Sequence, residues 1–81
     1  MNEEIKDRVH RYRLVIEGGP PSNYAAYSPD VQGCVATGDS VEECIAEMRD
    51  ALAFHLEAMV EDGDPIPEPT GPGVVIERSA A

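Results

Sequence analysis

Hydrophobic and polar residues alternate in HRYRLVIEGG at residues 10–19, the first strongly patterned segment of the chain. An extended backbone places the side chains of Tyr12, Leu14 and Ile16 on the same side. A period of two residues is typical of a half-buried strand, so we predict the first strand here. NYAAYS at 23–28 and CVAT at 34–37 suit two further strands, separated by a turn that begins at Pro29 and Asp30. Together these segments predict an antiparallel three-stranded meander.

The hydrophobic period changes to three and four residues after position 40, which predicts a long amphipathic helix. Its apolar stripe consists of Val41, Ile45, Met48, Leu52, Leu56 and Met59. Ser40 followed by Glu43 is a capping box, in which the hydroxyl accepts the backbone N–H three residues on. Gly63 suits the left-handed conformation that ends many helices, so we expect the helix to run from Val41 to Asp62.

The segment DPIPEPTGPG at residues 64–73 predicts an extended path after the helix, because its prolines remove backbone donors at alternate positions. VVIE at 74–77 then predicts a short final strand. A helix that covers one face of the sheet and crosses over brings this strand parallel to the first. The predicted fold class is α+β in the order β-β-β-α-β, a single domain over residues 1–81 in which an N-terminal arm (1–8) and a tail (78–81) are frayed.

The chain has 16 acidic and 6 basic residues among 81, a net charge of -10. Phosphate binding depends on clustered Lys and Arg, so nucleic acid is disfavoured as the main partner and a basic protein surface is favoured. No segment has the apolar length of a membrane span or of a signal peptide, and we expect a cytoplasmic protein. A core with one Phe and no Trp leaves little reserve of stability, which predicts a homo-oligomer, a dimer or a tetramer.

The candidate nucleophiles and imidazole ligands are Cys34, Cys44, His10 and His55. None belongs to a spaced metal-ligand set, and the acidic neighbours of Cys44 disfavour a thiolate, so we predict reduced, packed thiols. Glu17 and Glu77 are the carboxylates that a ribonuclease-H-type two-metal site could use, but both fall at strand ends. We therefore predict no catalytic residue, no metal site, no cofactor and no enzymatic activity.

Residues 24–69 contain, in order, an aromatic strand ending in Ser-Pro-Asp, a Gly-Cys turn, a Gly-Asp-Ser helix start and a Pro-Ile-Pro-Glu-Pro exit. This succession resembles the HicB antitoxin family over roughly residues 9–77. The resemblance implies a truncated ribonuclease-H-like fold that has lost nuclease chemistry. We expect structural roles in turns, helix start and exit for Gly33, Gly38, Asp39, Ser40, Glu43, Pro65 and Pro67.

The same resemblance implies the antitoxin of a type II pair, whose partner is a HicA-like toxin, a small basic ribonuclease that cuts messenger RNA. The alternatives are an orphan scaffold or regulatory module that homo-oligomerises without a toxin, and a residual metal-dependent nuclease. Many family members continue into a DNA-binding module whereas this sequence stops at Ala81, so we expect no direct DNA binding from this chain.

Candidate contact residues follow from side-chain direction. Phe54 lies outside the apolar stripe of the predicted helix, among acidic residues. We expect a toxin to contact the side of the sheet away from the helix and the acidic flank of the helix. The predicted contacts are Arg13, Tyr27, Asp30, Glu47 and Phe54.

Overall fold

The computed structural model describes residues 3–19, 21–69 and 71–79. Its elements are α1 (Glu3–Arg8), β1 (Leu14–Gly18), β2 (Tyr24–Ser28), β3 (Val31–Gly38), α2 (Val41–Glu61) and β4 (Val75–Ser79). The strands form one sheet in the order β3-β2-β1-β4. β2 is antiparallel to both β1 and β3, whereas β4 is parallel to β1. The predicted class is confirmed: a three-stranded meander, one long helix and a parallel final strand in an open mixed sheet.

The hydrophobic core lies between α2 and one face of the sheet. α2 contributes Cys44, Met48, Leu52, Ala53 and Leu56, and the strands contribute Leu14, Ile16, Ala26, Val31 and Cys34. α1 packs on α2 and adds Ile5 to the same core. Because side chains alternate along a strand, the residues between the buried strand positions point to the other face. Among the described residues, neither helix lies on that second face.

The ends of α2 follow from its capping residues. Ser40 has an extended backbone, and its hydroxyl accepts the N–H of Glu43 at 3.1 Å. At the other end Asp62 is the C-cap, and Gly63 follows with φ of 76°, a left-handed conformation that favours glycine. The predicted start at Val41 is therefore confirmed, and the observed helix ends one residue before the predicted Asp62.

β3 begins earlier than predicted because it contains an irregularity. Tyr27 pairs with Val35, but its neighbour Ser28 pairs with Val31, so the extra residues of β3 bulge out between the two pairs. Gly33 lies in this bulge with φ of 83°. β3 pairs with β2 on both sides of the bulge, so it is longer than the regularly paired segment. The predicted strand at 34–37 corresponds to the segment on one side of the bulge.

Residues 3–8 form α1, where the sequence predicted a frayed arm. Ile5 is buried against the core, and Arg8 forms ion pairs with Glu4 at 2.8 Å and with Glu68 at 3.3 Å. The hydroxyl of Tyr12 donates a hydrogen bond to the carbonyl of Pro67. The contacts with Glu68 and Pro67 tie the N-terminal segment to the proline-rich exit, and they join residues too distant in sequence for a local pattern to indicate.

The entry into β4 is held against the same N-terminal segment. The N–H of Gly73 donates to the carbonyl of Arg11 at 3.1 Å. Of the predicted frayed tail, Arg78 and Ser79 belong to β4, and residues 80 and 81 lie outside the described part of the chain. Across the described residues, no helix is both long enough and apolar enough to cross a membrane.

Candidate functional site

The outward side of α2 carries a series of acidic residues. At about 100° per residue, six positions lie opposite the buried stripe of the helix. They are Glu43, Glu47, Asp50, Phe54, Glu57 and Glu61, and we name them the acidic helix face. The basic residue of α2, Arg49, is half-buried on a different side. The face extends for about 27 Å at ~1.5 Å per residue, and its concentrated negative potential favours a basic surface.

Phe54 is the large apolar side chain of the acidic helix face. It is 78% exposed, whereas Leu52, two positions earlier, is fully buried. The packing of Leu52 and Met48 against the sheet fixes the helix, so Phe54 is presented from a rigid element. An aromatic ring held in this way offers a large contact area at a small cost in conformational entropy.

The sheet surface away from α2 carries a row of apolar residues that crosses all the strands. The register aligns Val35, Tyr27, Val15 and Ile76 on β3, β2, β1 and β4. The next row along the strands is Thr37, Ala25, Glu17 and Arg78. We name these eight residues the bare sheet face. Val35 is 73% exposed, Ile76 40% and Tyr27 36%. The row is therefore an apolar strip on the molecular surface.

Val15 differs from the rest of this row because it is only 3% exposed. It lies on a central strand between Tyr27 and Ile76, whose side chains shield it from both sides. The apolar row is thus a packed strip and not a set of separate surface residues. The charged residues of the second row are Glu17 and Arg78, which are aligned with each other in the register. Their formal charges have opposite signs, so the row has no net charge.

Arg13 and Asp30 form an ion pair at the end of the meander. The carboxylate of Asp30 accepts hydrogen bonds from the backbone N–H of Arg13 at 2.9 Å, from its Nε at 3.3 Å and from its Nη2 at 3.1 Å. The N–H of Asp30 donates to the hydroxyl of Ser28 at 3.2 Å. The Asp30 side chain is 1% exposed and that of Arg13 42%. The pair fastens the turn after β2 to the start of β1, and Asp30 offers almost no surface to a partner.

The structure places the predicted contact residues in two separate groups. Arg13, Tyr27 and Asp30 lie on or beside the bare sheet face, whereas Glu47 and Phe54 lie on the acidic helix face. Because α2 covers the sheet from one side, the two groups are on opposite sides of the molecule. A single flat contact cannot include all five residues. Their roles in binding stay predictions.

Sequence reasoning did not select Val15, Val35 or Ile76 as surface residues of interest. The signal that could have indicated them is LVI at 14–16, where an apolar Val15 interrupts an otherwise alternating pattern. An apolar residue on the outward side of a strand is a common surface feature when it stands alone. Its significance here depends on the register, which aligns it with three other apolar residues.

The two thiols are free and buried in the core. Burial raises the pKa of Cys34. Burial also raises the pKa of Cys44, and the nearby charge of Glu43 raises it further. A thiol with a raised pKa stays protonated and is a poor nucleophile at neutral pH. Both cysteines act as small apolar core residues, as their sequence context predicted.

The carboxylates of the nuclease alternative lie on opposite faces of the sheet. Glu17 follows Ile16 on β1 and points to the bare sheet face. Glu77 is aligned with Ile16 in the parallel register, so it lies on the helix side. Two carboxylates separated by the sheet cannot hold the same pair of metal ions. Within the described residues, no group of three or more His, Cys, Asp or Glu side chains could hold a metal.

Comparisons with known proteins agree with the motif succession. A family model described as "HicB_like antitoxin of bacterial toxin-antitoxin system" matches residues 12–79, a range that contains every strand and α2. The chain is also similar to the UPF0150 protein ssr1765 of Synechocystis sp., with 26% identity over 61 residues that cover 75% of this chain and 77% of the relative.

A second relative comes from Haemophilus phage HP1 and is named "Uncharacterized 14.9 kDa protein in rep-hol intergenic region". It is 38% identical over 45 residues, which cover 56% of this chain and 34% of the relative, so this chain spans about a third of the phage protein. No solved structure matches the chain. Since the family match extends over most of the sequence, from the end of the N-terminal segment through β4, the chain belongs to the HicB-like antitoxin family of bacterial toxin-antitoxin systems.

Proposed function

We propose that this protein neutralises a small, basic, HicA-like messenger-RNA ribonuclease in the cytoplasm by direct binding, as the antitoxin of a type II pair. The observation that carries the proposal is the family match over residues 12–79. The net charge of -10 supports it independently, because a strongly acidic chain is attracted to the basic surface that an RNA-cutting enzyme needs.

The acidic helix face is the proposed toxin-binding surface. Its five carboxylates provide the negative charge that RNA phosphates otherwise provide, and Phe54 adds an apolar contact at their centre. Long-range attraction speeds the encounter with a basic protein, whereas a central aromatic side chain slows dissociation. Glu47 and Phe54 from the predicted contact set therefore act together on this face.

Binding at this face would inhibit the ribonuclease by occupying its RNA-binding surface. No chemistry by the antitoxin is needed, since an acidic helix that covers basic side chains excludes the phosphate backbone from the same place. The β-β-β-α-β scaffold then serves to hold α2 in a fixed orientation. Its resemblance to part of a ribonuclease-H-type fold concerns the framework alone in this proposal.

The test is an affinity pull-down of the tagged chain from its native cell extract at moderate salt, followed by mass spectrometry and an RNA-cleavage assay of any retained protein. We expect a small basic protein in equimolar amount, whose cleavage of RNA stops when the untagged chain is added. Raising the salt concentration should weaken the complex, because its attraction is partly electrostatic.

Charge-reversal variants locate the binding surface. Glu47→Lys should slow association with the retained protein by about tenfold, whereas Glu77→Lys, an equal charge change at an exposed position in the middle of β4, should have a much smaller effect. Equal effects of both variants would contradict the assignment to the acidic helix face. Recovery of this chain alone would contradict the toxin-binding function and support an orphan scaffold.

A further inference from the structure

A groove lies between α1 and the C-terminal part of α2. The two helices pack against each other, and the space between them has a volume of about 250 Å³ and is open to solvent. Its lining residues are Ile5, Glu57, Val60 and Glu61, and we name this space the helix groove. Glu57 and Glu61 also belong to the acidic helix face. The groove is therefore continuous with the proposed toxin-binding surface.

We propose that the helix groove binds one lysine or arginine side chain of the toxin and makes the antitoxin selective for toxins that have a basic residue there. This assignment rests on the proposed function, because it requires a basic protein to bind the acidic helix face. It adds a defined site for one basic side chain to that general electrostatic attraction.

The walls of the groove combine apolar surface with two carboxylates. Ile5 is 1% exposed and lies at its base, whereas Val60 is 47% exposed and forms an apolar side. Glu57 and Glu61 are one turn of α2 apart, at about 6 Å along the helix axis. Lysine and arginine lay an apolar stem along apolar surface and hold the charged group at its edge. Such a stem against Val60 brings its charge to the two carboxylates.

The negative charge at the groove is available to another molecule. Both basic residues of α1 form ion pairs with carboxylates outside the groove, at Glu3, Glu4 and Glu68. Among the described residues, neither Glu57 nor Glu61 has an ion-pair partner. The last turn of α2 also has no basic residue, although the negative end of a helix dipole attracts cations. A cation from a partner would complete this helix end.

The size of the groove favours a side chain over a free small molecule. Its volume of about 250 Å³ equals that of roughly eight water molecules at about 30 Å³ each. Pockets for small molecules usually have about 300–1,000 Å³ and cover most of the ligand. A smaller, open groove holds a free ligand weakly. A side chain that the rest of a protein interface brings to the groove does not pay a separate cost in translational freedom.

α1 gives the groove its selectivity. The family match begins at residue 12, so it includes α2 but not α1 or Ile5. The carboxylates therefore belong to the matched region, whereas the base of the groove is an addition to it. A toxin with an acidic residue at this position would place like charges together, and one with a short side chain would leave the groove unfilled.

The first measurement needs no toxin. The isotopically labelled full chain is titrated with n-butylammonium, which reproduces the end of a lysine side chain, and the backbone amide signals are followed by NMR. We expect saturable shifts centred on residues 57–63, and much smaller shifts with n-butanol, which has the same apolar stem without the charge. Glu57→Gln/Glu61→Gln should weaken binding of n-butylammonium by about fivefold or more. Glu17→Gln/Glu77→Gln removes the same charge from the strands and should change it by less than about twofold.

The second measurement uses the basic protein retained in the pull-down. Val60→Ser removes the apolar side of the groove without changing any charge, and it should speed dissociation of the complex by about fivefold. Val74→Ser is the matched control, because Val74 is also 47% exposed and lies just before β4. We expect its dissociation rate to equal that of the wild type. Circular dichroism of each variant checks that the fold is retained.

The outcomes separate this proposal from the toxin-binding function. If the basic protein is retained and inhibited but both serine variants dissociate at the same rate, the helix groove has no role and the toxin-binding function stands. The groove is also wrongly assigned if Glu57→Gln/Glu61→Gln leaves n-butylammonium binding unchanged, or if n-butanol binds equally well. If no basic protein is retained, the toxin contact fails together with the toxin-binding function, and the titration decides separately whether the groove binds a cation.

Discussion

Replacement of Gly38 by alanine tests how closely the end of β3 approaches the first turn of α2. A Cβ at Gly38 would lie 2.6 Å from the backbone nitrogen of Cys44, 2.9 Å from its Cα and 3.1 Å from the carbonyl carbon of Glu43. Favourable contacts between heavy atoms have separations of about 3.5–4.0 Å. These neighbours are helix backbone and cannot rotate away, so the start of α2 must move by about 1 Å from β3.

The magnitude follows from what this displacement disturbs. Cys44 is fully buried in the core, and overpacking of a tight core costs about 1–3 kcal/mol. The same movement strains the cap at Ser40, whose complete loss costs about 1 kcal/mol. We therefore expect Gly38→Ala to lower the free energy of unfolding by about 2–4 kcal/mol, out of a total of about 4–12 kcal/mol for a chain of this length.

Urea unfolding followed by circular dichroism, with all proteins at one concentration, measures the effect. Gly71→Ala is the control because a Cβ there meets nothing within 4 Å, and its φ is not in the left-handed region. We expect this control to stay within about 0.5 kcal/mol of the wild type. A Gly38→Ala variant as stable as the Gly71→Ala variant would refute the argument that β3 and α2 are in backbone contact.

Two further predictions concern buried ionisable groups. Asp30→Asn removes the charge that accepts three hydrogen bonds from Arg13 and should lower the free energy of unfolding by about 1.5–3 kcal/mol. The control is Asp50→Asn on the solvent side of α2, which should change the free energy of unfolding by under ~0.5 kcal/mol. Equal urea midpoints of the two variants would contradict this prediction. Burial raises the pKa of Tyr12, Cys34 and Cys44 in the folded state. Above about pH 8.5 the folded protein therefore binds more protons than the unfolded chain. The free energy of unfolding should not depend on these groups below that pH, and it should fall as the pH rises above it. Urea unfolding at pH values on both sides of this limit tests the sign, and a Cys34→Ala/Cys44→Ala double variant should have a shallower decline.

The four strands and α2 could be predicted because each has a local chemical cause. The alternation of Leu14 and Ile16 with outward residues indicates β1, and the hydroxyl of Ser40 fixes the start of α2. Gly63 has the left-handed conformation that its position suggested. These features depend on neighbours within four residues, the distance over which sequence periodicity reports structure.

The remaining features depend on contacts between distant residues. α1 is stabilised by contacts such as that between Arg8 and Glu68, which lie at opposite ends of the sequence. The apolar row requires the register of all the strands before Val15, Val35 and Ile76 become neighbours. The candidate surfaces were thus predictable in part: the acidic side of α2 could be read from helical spacing, but the composition of the bare sheet face could not.

The parallel pairing of β4 with β1 has a consequence for the order of folding. β1, β2, β3 and α2 follow one another in sequence, so their contacts close short loops. The alignment of Leu14 with Val75 instead closes a loop that includes most of the chain, at an entropic cost roughly 2 kcal/mol greater than that of the β1–β2 hairpin. We therefore expect β4 to be the last strand to join the sheet and the first to leave it. Since Ile76 completes the apolar row, the bare sheet face should then form only in the final step of folding.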